Sequence, residues 1–587
     1  VGEHLQEDAA PNGSEPTAEA NQVGFRSIML RVPSFGGLVG ALVFFWFSLP
    51  PSLLPRWWVM QAVITGLGSA IGYLIGTSIG ALGRVLLRRI GTPHASPAAR
   101  RTAWLVLAAL AAFGVIIGLA RWPSVQNESR DLVGLEHVSW TVVIFIALAS
   151  AVIFLIAMAI GRAFLYLVRK TEQFTQRFVP RAVAWVITIV VITTIIVVFS
   201  VDVVEKELIS WADARFGAAD MGTAPGVQQP TSPNYSGSPE SLAAWDSLGY
   251  EGRNFVAGAP TVPELEAFSG PGTATEPMRV YAGLESAGSL DEAAALVVDE
   301  LNRTNAADPA VVVAVTTTGT GWVDPDAAAA IEHMHAGDTT IAASQYSFLP
   351  SWIQFLIGTE VAGDAGTAIN TAVIEWWEGL PEPRPRLLLF GESLGSLGLE
   401  TAMADSTIDA SLANLTRASG ALLTGPTASN PIWQQVLAAR DPSTPVWRPV
   451  YDDGAKVRIA NQPQDPEQVG TAVWIEPRAL YFHHPSDPVG YWDLKTLWSR
   501  PEWVDDPIGY DVSPQVAWFP ILTWGQVSAD LMAGFSAGPG FGHNYSVDFV
   551  SGWAAVGPPD GWTQGDTDRL ATHLLGASEV TTSEISE

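Results

Sequence analysis

Hydrophobic positions divide the chain into two unlike halves. Up to residue 201 they form long runs, at 35–49, 57–82, 103–120, 138–160 and 182–201. A bilayer-spanning helix needs about 20 apolar residues, so these runs predict a membrane region of about five helices over 35–201. The first run is the shortest and is rich in glycine. Residues 1–34 precede it as a polar, acidic, disordered tail and a juxtamembrane segment. No signal-peptide cleavage pattern is evident, so the first run is expected to act as an uncleaved anchor.

Beyond the runs the pattern changes. Residues 202–277 form a linker, rich in Gly, Pro, Ser and Ala from about 217, with Trp245, Leu248, Tyr250 and Phe255 as candidates to pack on the C-terminal domain. From 278 to 587 short apolar runs alternate with helical patterns. Strands are predicted at 279–284, 311–317, 340–344, 387–390, 418–424 and 473–482, and helices at 291–302, 326–335, 362–378 and 431–439. Such alternation implies an α/β domain with a mostly parallel sheet covered on both faces.

Charge orients the first half. Arg84, Arg88, Arg89, Arg100 and Arg101 follow the second run, and Arg162, Arg169, Lys170, Arg177 and Arg181 follow the fourth. Glu128, Asp131 and Glu136, with only Arg121 and Arg130, follow the third, and Asp202, Glu205 and Glu207 the fifth. Basic loops stay in the cytoplasm. The expectation is a multi-pass cell-membrane protein with a cytoplasmic N-terminus and an extracytoplasmic C-terminal domain. The runs carry almost no ionisable residues, which argues against a transporter. The net charge of −28 argues against nucleic-acid binding. Without cysteine the chain has no disulfide, thiolate nucleophile or Cys-ligated zinc.

Candidate chemistry centres on Gly391-Glu392-Ser393-Leu394-Gly395, which follows the apolar run at 387–390. Strand, tight turn and helix around such a Ser is the nucleophile elbow of an α/β-hydrolase. The same pattern at Gly76-Thr77-Ser78-Ile79-Gly80 lacks the strand, and its small residues fit helix-against-helix packing. Ser393 is the candidate nucleophile. In this fold the acid and the His follow it in that order. Asp487, just past the strand ending at 482, is the candidate acid, with Asp493 as the runner-up. His543, in the glycine-rich 538–545 loop, is the candidate base; His573 lies in a polar helical segment, and His483 and His484 precede the acid. The paired histidines lack a second spaced ligand set, so no metal site is expected, and they are expected to shape the pocket instead. The backbone N–H groups of Leu394 and Thr320 are the candidate oxyanion hole. No nucleotide fingerprint or phosphate-binding lysine motif is present, so no cofactor is implied. Trp322, Trp352, Trp376, Trp377, Trp433, Trp492, Trp518 and Trp524 are candidates to line an acyl or sugar groove.

The strings Pro51-Ser52-Leu53-Leu54-Pro55-Arg56, 279–284, 391–396, 484–491 and 542–545 give the chain a further likeness. It resembles the actinobacterial membrane-anchored α/β-hydrolase family, in which a multi-span N-terminal region precedes a C-terminal serine hydrolase domain. The resemblance implies serine hydrolase activity, and supplies no substrate. The leading expectation is an esterase, lipase or acyltransferase acting on envelope lipids or acylated glycans. The alternative is an inactive membrane scaffold with a hydrolase-like domain.

Overall fold

The computed structural model describes residues 29, 32–90, 96–175, 215–217, 219–357 and 359–585. The tail at 1–24 and the apolar run at 182–201 lie outside the described residues. The other runs form α1 (Phe35–Phe47), α2 (Trp58–Ile90), α3 (Pro97–Leu132) and α4 (Val142–Thr175). The last three are long and apolar enough to cross a membrane. With 13 residues, α1 is about 20 Å long, well short of a bilayer core of about 30 Å. Only three of the expected spans are therefore present among the described residues.

Helix α1 lies along α2 through facing glycines. A Cβ on Gly36 would stand 2.6 Å from the Gly76 carbonyl oxygen, and one on Gly40 would strike the backbone of Gly72. The second G-x-S-x-G copy is thus a helix-packing surface, where small residues let backbones approach. Gly40→Leu is expected to push α1 off α2. Overpacking of this kind costs about 1–3 kcal/mol, and a lower unfolding midpoint of the detergent-solubilised protein would report it.

The 51–56 string joins the two halves. Pro51 and Pro55 keep it out of helix, and Arg56 turns inward. Its buried guanidinium donates to the Ser48 carbonyl at 3.2 Å, to Gln61 Oε1 at 3.1 Å and to the Pro50 carbonyl. Trp122 Nε1 donates to the same Gln61 oxygen at 3.0 Å. The Leu53 N–H donates to Asp530 Oδ2, in the C-terminal half, at 3.1 Å. Burial pushes the Asp530 carboxyl up to about 6, against the pull of Arg56.

The C-terminal half holds a seven-stranded parallel sheet of order β1-β3-β2-β4-β5-β7-β6. Its elements, in chain order, are α5 (Gly249–Ala257), α6 (Val262–Ser269), β1 (Met278–Ala282), α7 (Leu290–Arg303), β2 (Val311–Thr316), α8 (Pro325–Met334), β3 (Thr339–Ser344), α9 (Ser351–Ile357), α10 (Glu360–Glu378), β4 (Arg386–Glu392), α11 (Leu394–Met403), α12 (Ile408–Leu415), β5 (Gly420–Thr424), α13 (Pro431–Ala439), β6 (Val457–Ala460), β7 (Arg478–Phe482), α14 (Leu522–Ala533), α15 (Phe549–Val556) and α16 (Gln564–Ile585). Alternate residues of a strand face opposite ways. Val313, Val315, Leu388 and Phe390 pack with Ile331, Phe549 and Trp553 on one face. Val312, Ala314, Leu387 and Leu389 pack with Val297, Ile369 and Leu399 on the other. The run at 473–482 is strand only from Arg478, and β6 was not foreseen.

The described part of the 202–277 segment is built into this domain. Tyr235 bridges to Arg279 of β1, and Ser236 donates to Glu300 of α7 at 2.7 Å. Leu248, Phe255 and Phe268 are buried in the core.

Candidate active site

Ser393 stands where β4 turns into α11. Its backbone has φ +55° and ψ −121°, a conformation that costs a non-glycine residue energy. Small neighbours make it possible. A Cβ on Gly391 would lie 2.6 Å from the Gly395 carbonyl oxygen, and one on Gly395 would strike the carbonyl of Thr316 in β2. The turn is then pinned from below. The Ser393 N–H donates to the Thr424 carbonyl at 2.9 Å. Ser396 Oγ donates to the Ser393 carbonyl at 2.7 Å, and Asn430 Nδ2 donates to Ser396 Oγ at 3.0 Å. Glu400 accepts from Asn430 and from the Ile432 and Trp433 N–H groups at the start of α13. Burial pushes the Glu400 carboxyl up to about 7 despite these bonds.

Asp487 and His543 arrive from two loops beyond β7. Both are buried, and His543 Nδ1 lies 2.7 Å from Asp487 Oδ2. The same oxygen accepts the Tyr545 hydroxyl at 2.7 Å, while Oδ1 accepts the Val489 N–H at 2.9 Å. Facing a carboxylate, Nδ1 carries the ring proton. Nε2 is left without a hydrogen-bond partner. Burial raises the Asp487 carboxyl, but His543 and the Tyr545 hydroxyl outweigh it and hold the group below the usual range. The imidazole lies against Gly425, the residue after the Thr424 carbonyl that holds Ser393. The structure therefore brings Ser393, Asp487 and His543 to one end of the sheet. Asp493 is not with them; it caps the short turn at Leu494–Leu497. His573 lies against Phe268 and His333.

The paired histidines hold the His543 loop. His484 stacks on Tyr545, with ring centroids 4.2 Å apart. Its Nδ1 meets the Gly542 carbonyl at 2.9 Å and its Nε2 meets Asp548 Oδ2 at 3.0 Å. Burial opposes its charge, but Asp548 prevails and the pKa is raised. Ser486 Oγ accepts the Gly542 N–H at 2.9 Å. Both backbone groups of the residue before His543 are thus clamped by the loop that carries Asp487. His483 points elsewhere, to the Tyr491 hydroxyl at 3.0 Å; burial pushes its pKa down to about 4, so it is neutral. Among the described residues no group of three His, Asp or Glu could hold a metal ion. Ser396, Glu400, Asn430, His484, Ser486 and Tyr545 are positions that the sequence reading did not assign. The only signal for the last three was their place in the strings at 484–491 and 542–545.

A cavity of about 240 Å³ opens in front of Ser393. Leu394, Val489, Trp352, Phe355, Trp492 and Trp524 are among its lining residues. Of the other candidate tryptophans, Trp377 and Trp433 are core residues. Leu394 starts α11, whose first N–H groups have no partner within the helix. Thr320 is not among the lining residues. In its turn the Gly319 N–H donates to Oγ of Ser351, a lining residue, and the Gly321 carbonyl accepts the Tyr281 hydroxyl. Thr316 and Thr317, at the end of β2, lie against Gly395.

Behind the elbow lies a buried carboxyl, Glu392, whose Oε2 has no partner. Burial, and then Asp324, Asp487 and Asp326, push it well above the usual carboxyl range. Asp324 is itself pushed up to about 7, by burial and then by Asp326. A group whose folded pKa is raised binds its proton more tightly folded than unfolded. Stability then falls as pH rises from the unfolded value of 4.5 toward the folded one. Glu392→Gln removes that titration. Its unfolding midpoint is expected to fall less steeply than the wild type's as pH rises above 4.5, by thermal unfolding.

Comparison with known proteins accords with this geometry. Residues 278–570 match a family model described as alpha/beta-hydrolase family, and residues 49–260 match one described as alpha/beta-hydrolase family N-terminus. No curated protein and no solved structure matches the chain.

Proposed function

The chain belongs to the alpha/beta-hydrolase family in both of its halves, and on that premise we propose that it is a membrane-anchored serine hydrolase. It would act as an esterase, lipase or acyltransferase on envelope lipid or acylated glycan esters. One observation carries this reading: Ser393 is held at φ +55° on an elbow, and at the same end of the sheet an imidazole has its Nδ1 taken by a buried carboxylate.

Each group has a role. Ser393 Oγ attacks the ester carbonyl carbon as its proton passes to His543 Nε2. Asp487 keeps the proton on Nδ1 and stabilises the imidazolium. The carbonyl oxygen becomes an oxyanion, with the Leu394 N–H as one donor toward it. The second donor is expected from the loop after β2, as the Thr320 N–H. Collapse breaks the ester C–O bond, and the leaving alkoxide takes the Nε2 proton. Water or another hydroxyl then attacks the acyl-enzyme with His543 as base again. Water gives hydrolysis, and a sugar or protein hydroxyl gives transfer.

Placement outside the cytoplasm follows from charge. Arg84, Arg88 and Arg89 sit at the far end of α2, and Arg100 and Arg101 at the start of α3. The hydrolase domain meets the opposite end, where Gln515 reaches Glu128 near the end of α3. Basic termini face the cytoplasm, so the domain faces outward.

A fluorophosphonate probe tests the reading. Labelling of the full-length protein in membranes, mapped to Ser393, is the expected result. A folded protein that takes no label, while a control serine esterase in the same membranes does, would count against an activated serine.

A further inference from the structure

The source of the acyl group is written in the walls of the pocket. Helix α14 has two working faces. Trp524, Ser528 and Met532 line the cavity before Ser393. On the other side, a Cβ on Gly68 of α2 would stand 2.6 Å from Leu522 Cδ2, and Gln526 donates to the Pro50 carbonyl at 3.2 Å. Phe519, just ahead of α14, stacks on Phe47 of α1 with centroids 4.2 Å apart. One helix is therefore both the pocket wall and the seat on the membrane bundle. The opposite wall, α9, is fixed within its own half: Ile353 clusters with Phe348, Leu349 and Phe216.

The mouth between these walls is apolar and bare. Trp352 is 53% exposed, Met532 62% and Phe535 57%. Large apolar side chains grouped at an opening mark a surface meant to be covered. Trp57 and Trp140 are exposed at the same end of the bundle, at 54% and 61%, the place of an interfacial aromatic belt. The cavity is shaped for hydrocarbon. A methylene takes somewhat less space than the ~30 Å³ of a water, so the cavity holds roughly eight of them. Apart from Ser393 its hydroxyl side chains are those of Ser351 and Ser528, and the Trp524 indole N–H is without a partner; these are too few to orient a sugar.

We propose that the acyl chain attacked by Ser393 belongs to a lipid of the adjoining bilayer leaflet. It enters sideways between α9 and α14, with Trp352, Met532 and Phe535 set into the membrane interface. The chemistry of this step rests on the serine hydrolase reading; the binding does not.

The test separates the two. Full-length protein is placed in nanodiscs of phosphatidylglycerol and phosphatidylethanolamine containing a phospholipid with a diazirine in one acyl chain. It is irradiated and its adducts are mapped, for wild type and Ser393→Ala. Adducts in 351–355 and in 522–535 are expected in both proteins. Their yield should fall several-fold when Trp352→Glu and Met532→Glu put charge at the mouth. Adducts confined to α1–α4 would overturn lipid entry, and fluorophosphonate labelling of Ser393 in that same protein would leave the hydrolase reading standing. Adducts in both segments of a protein that takes no fluorophosphonate would uphold lipid entry and remove the hydrolase.

Discussion

Ser393→Ala is expected to lower ester turnover by about 10⁴-fold to 10⁶-fold, the range of loss when the nucleophile of such a unit is removed. The fold should not suffer. The elbow is held by backbone groups and by Ser396, Asn430 and Glu400, none of which uses the Ser393 hydroxyl. Alanine also removes no contact between the halves, since these run through Leu53, Phe47 and Gln526. The variant should therefore insert in membranes, purify and melt as the wild type does. Turnover of a chromogenic ester, measured beside unfolding in the same detergent, checks both statements. A rate within tenfold of wild type, in protein that melts normally, would remove Ser393 from the chemistry.

How much of this was legible beforehand differs by element. The strand at 387–390 and the helix after Ser393 were legible because a fully buried strand needs an unbroken apolar run, and the glycines around the Ser mark a turn. Strand β6 was not. It carries Arg458, a residue that sequence patterns place outside a core. The structure buries it by having the guanidinium donate to the carbonyls of Gly454, Pro466 and Ala472 and stack on Trp474. No local pattern encodes partners supplied by a loop that folds back. The membrane runs were legible as helices but not in length. Helix α4 starts at Val142 and continues to Thr175, past the end of its apolar run at 160, because backbone hydrogen bonding does not stop where hydrophobicity does.

The site shows the same division. Ser393, Asp487 and His543 could be named because each sits on a turn or loop at a position fixed by chain order. Their supports could not. His484 and Ser486 act on the backbone of Gly542, 58 and 56 residues downstream. His484 appeared in the sequence only as half of a histidine pair expected to shape the pocket rather than to bind a metal. Its partners, a carbonyl and the carboxylate of Asp548, are acceptors, so it serves as a charged strut. Thr320 is a different case. Chain order put the expected second oxyanion donor in the loop after β2, and the hydrogen bonds there are made by its neighbours, the Gly319 N–H to Ser351 Oγ and the Tyr281 hydroxyl to the Gly321 carbonyl.

Asp487→Asn is expected to cost about 10⁴-fold in turnover, with little change in stability. The reason lies in which amide atom points where. Oδ1 of Asp487 accepts the Val489 N–H at 2.9 Å. An asparagine will keep its oxygen there, because an NH₂ would face a donor. Its NH₂ then takes the place of Oδ2, where the Tyr545 hydroxyl and His543 Nδ1 both meet the native carboxylate at 2.7 Å. The Tyr545 hydroxyl can rotate and accept. Nδ1 cannot stay protonated against an N–H donor, so the ring proton moves to Nε2. That atom must be bare to take the proton of Ser393, and the variant presents it already occupied. Tyr545→Phe is the control, since it removes one bond to the same oxygen but leaves the tautomer correct. A loss of about tenfold or less is expected for it. Nitrogen NMR of the His543 ring separates the two cases directly: the proton should sit on Nδ1 in wild type and Tyr545→Phe, and on Nε2 in Asp487→Asn. If Asp487→Asn keeps the Nδ1 proton, or turns over ester at near the wild-type rate, the carboxylate that orients His543 is not Asp487.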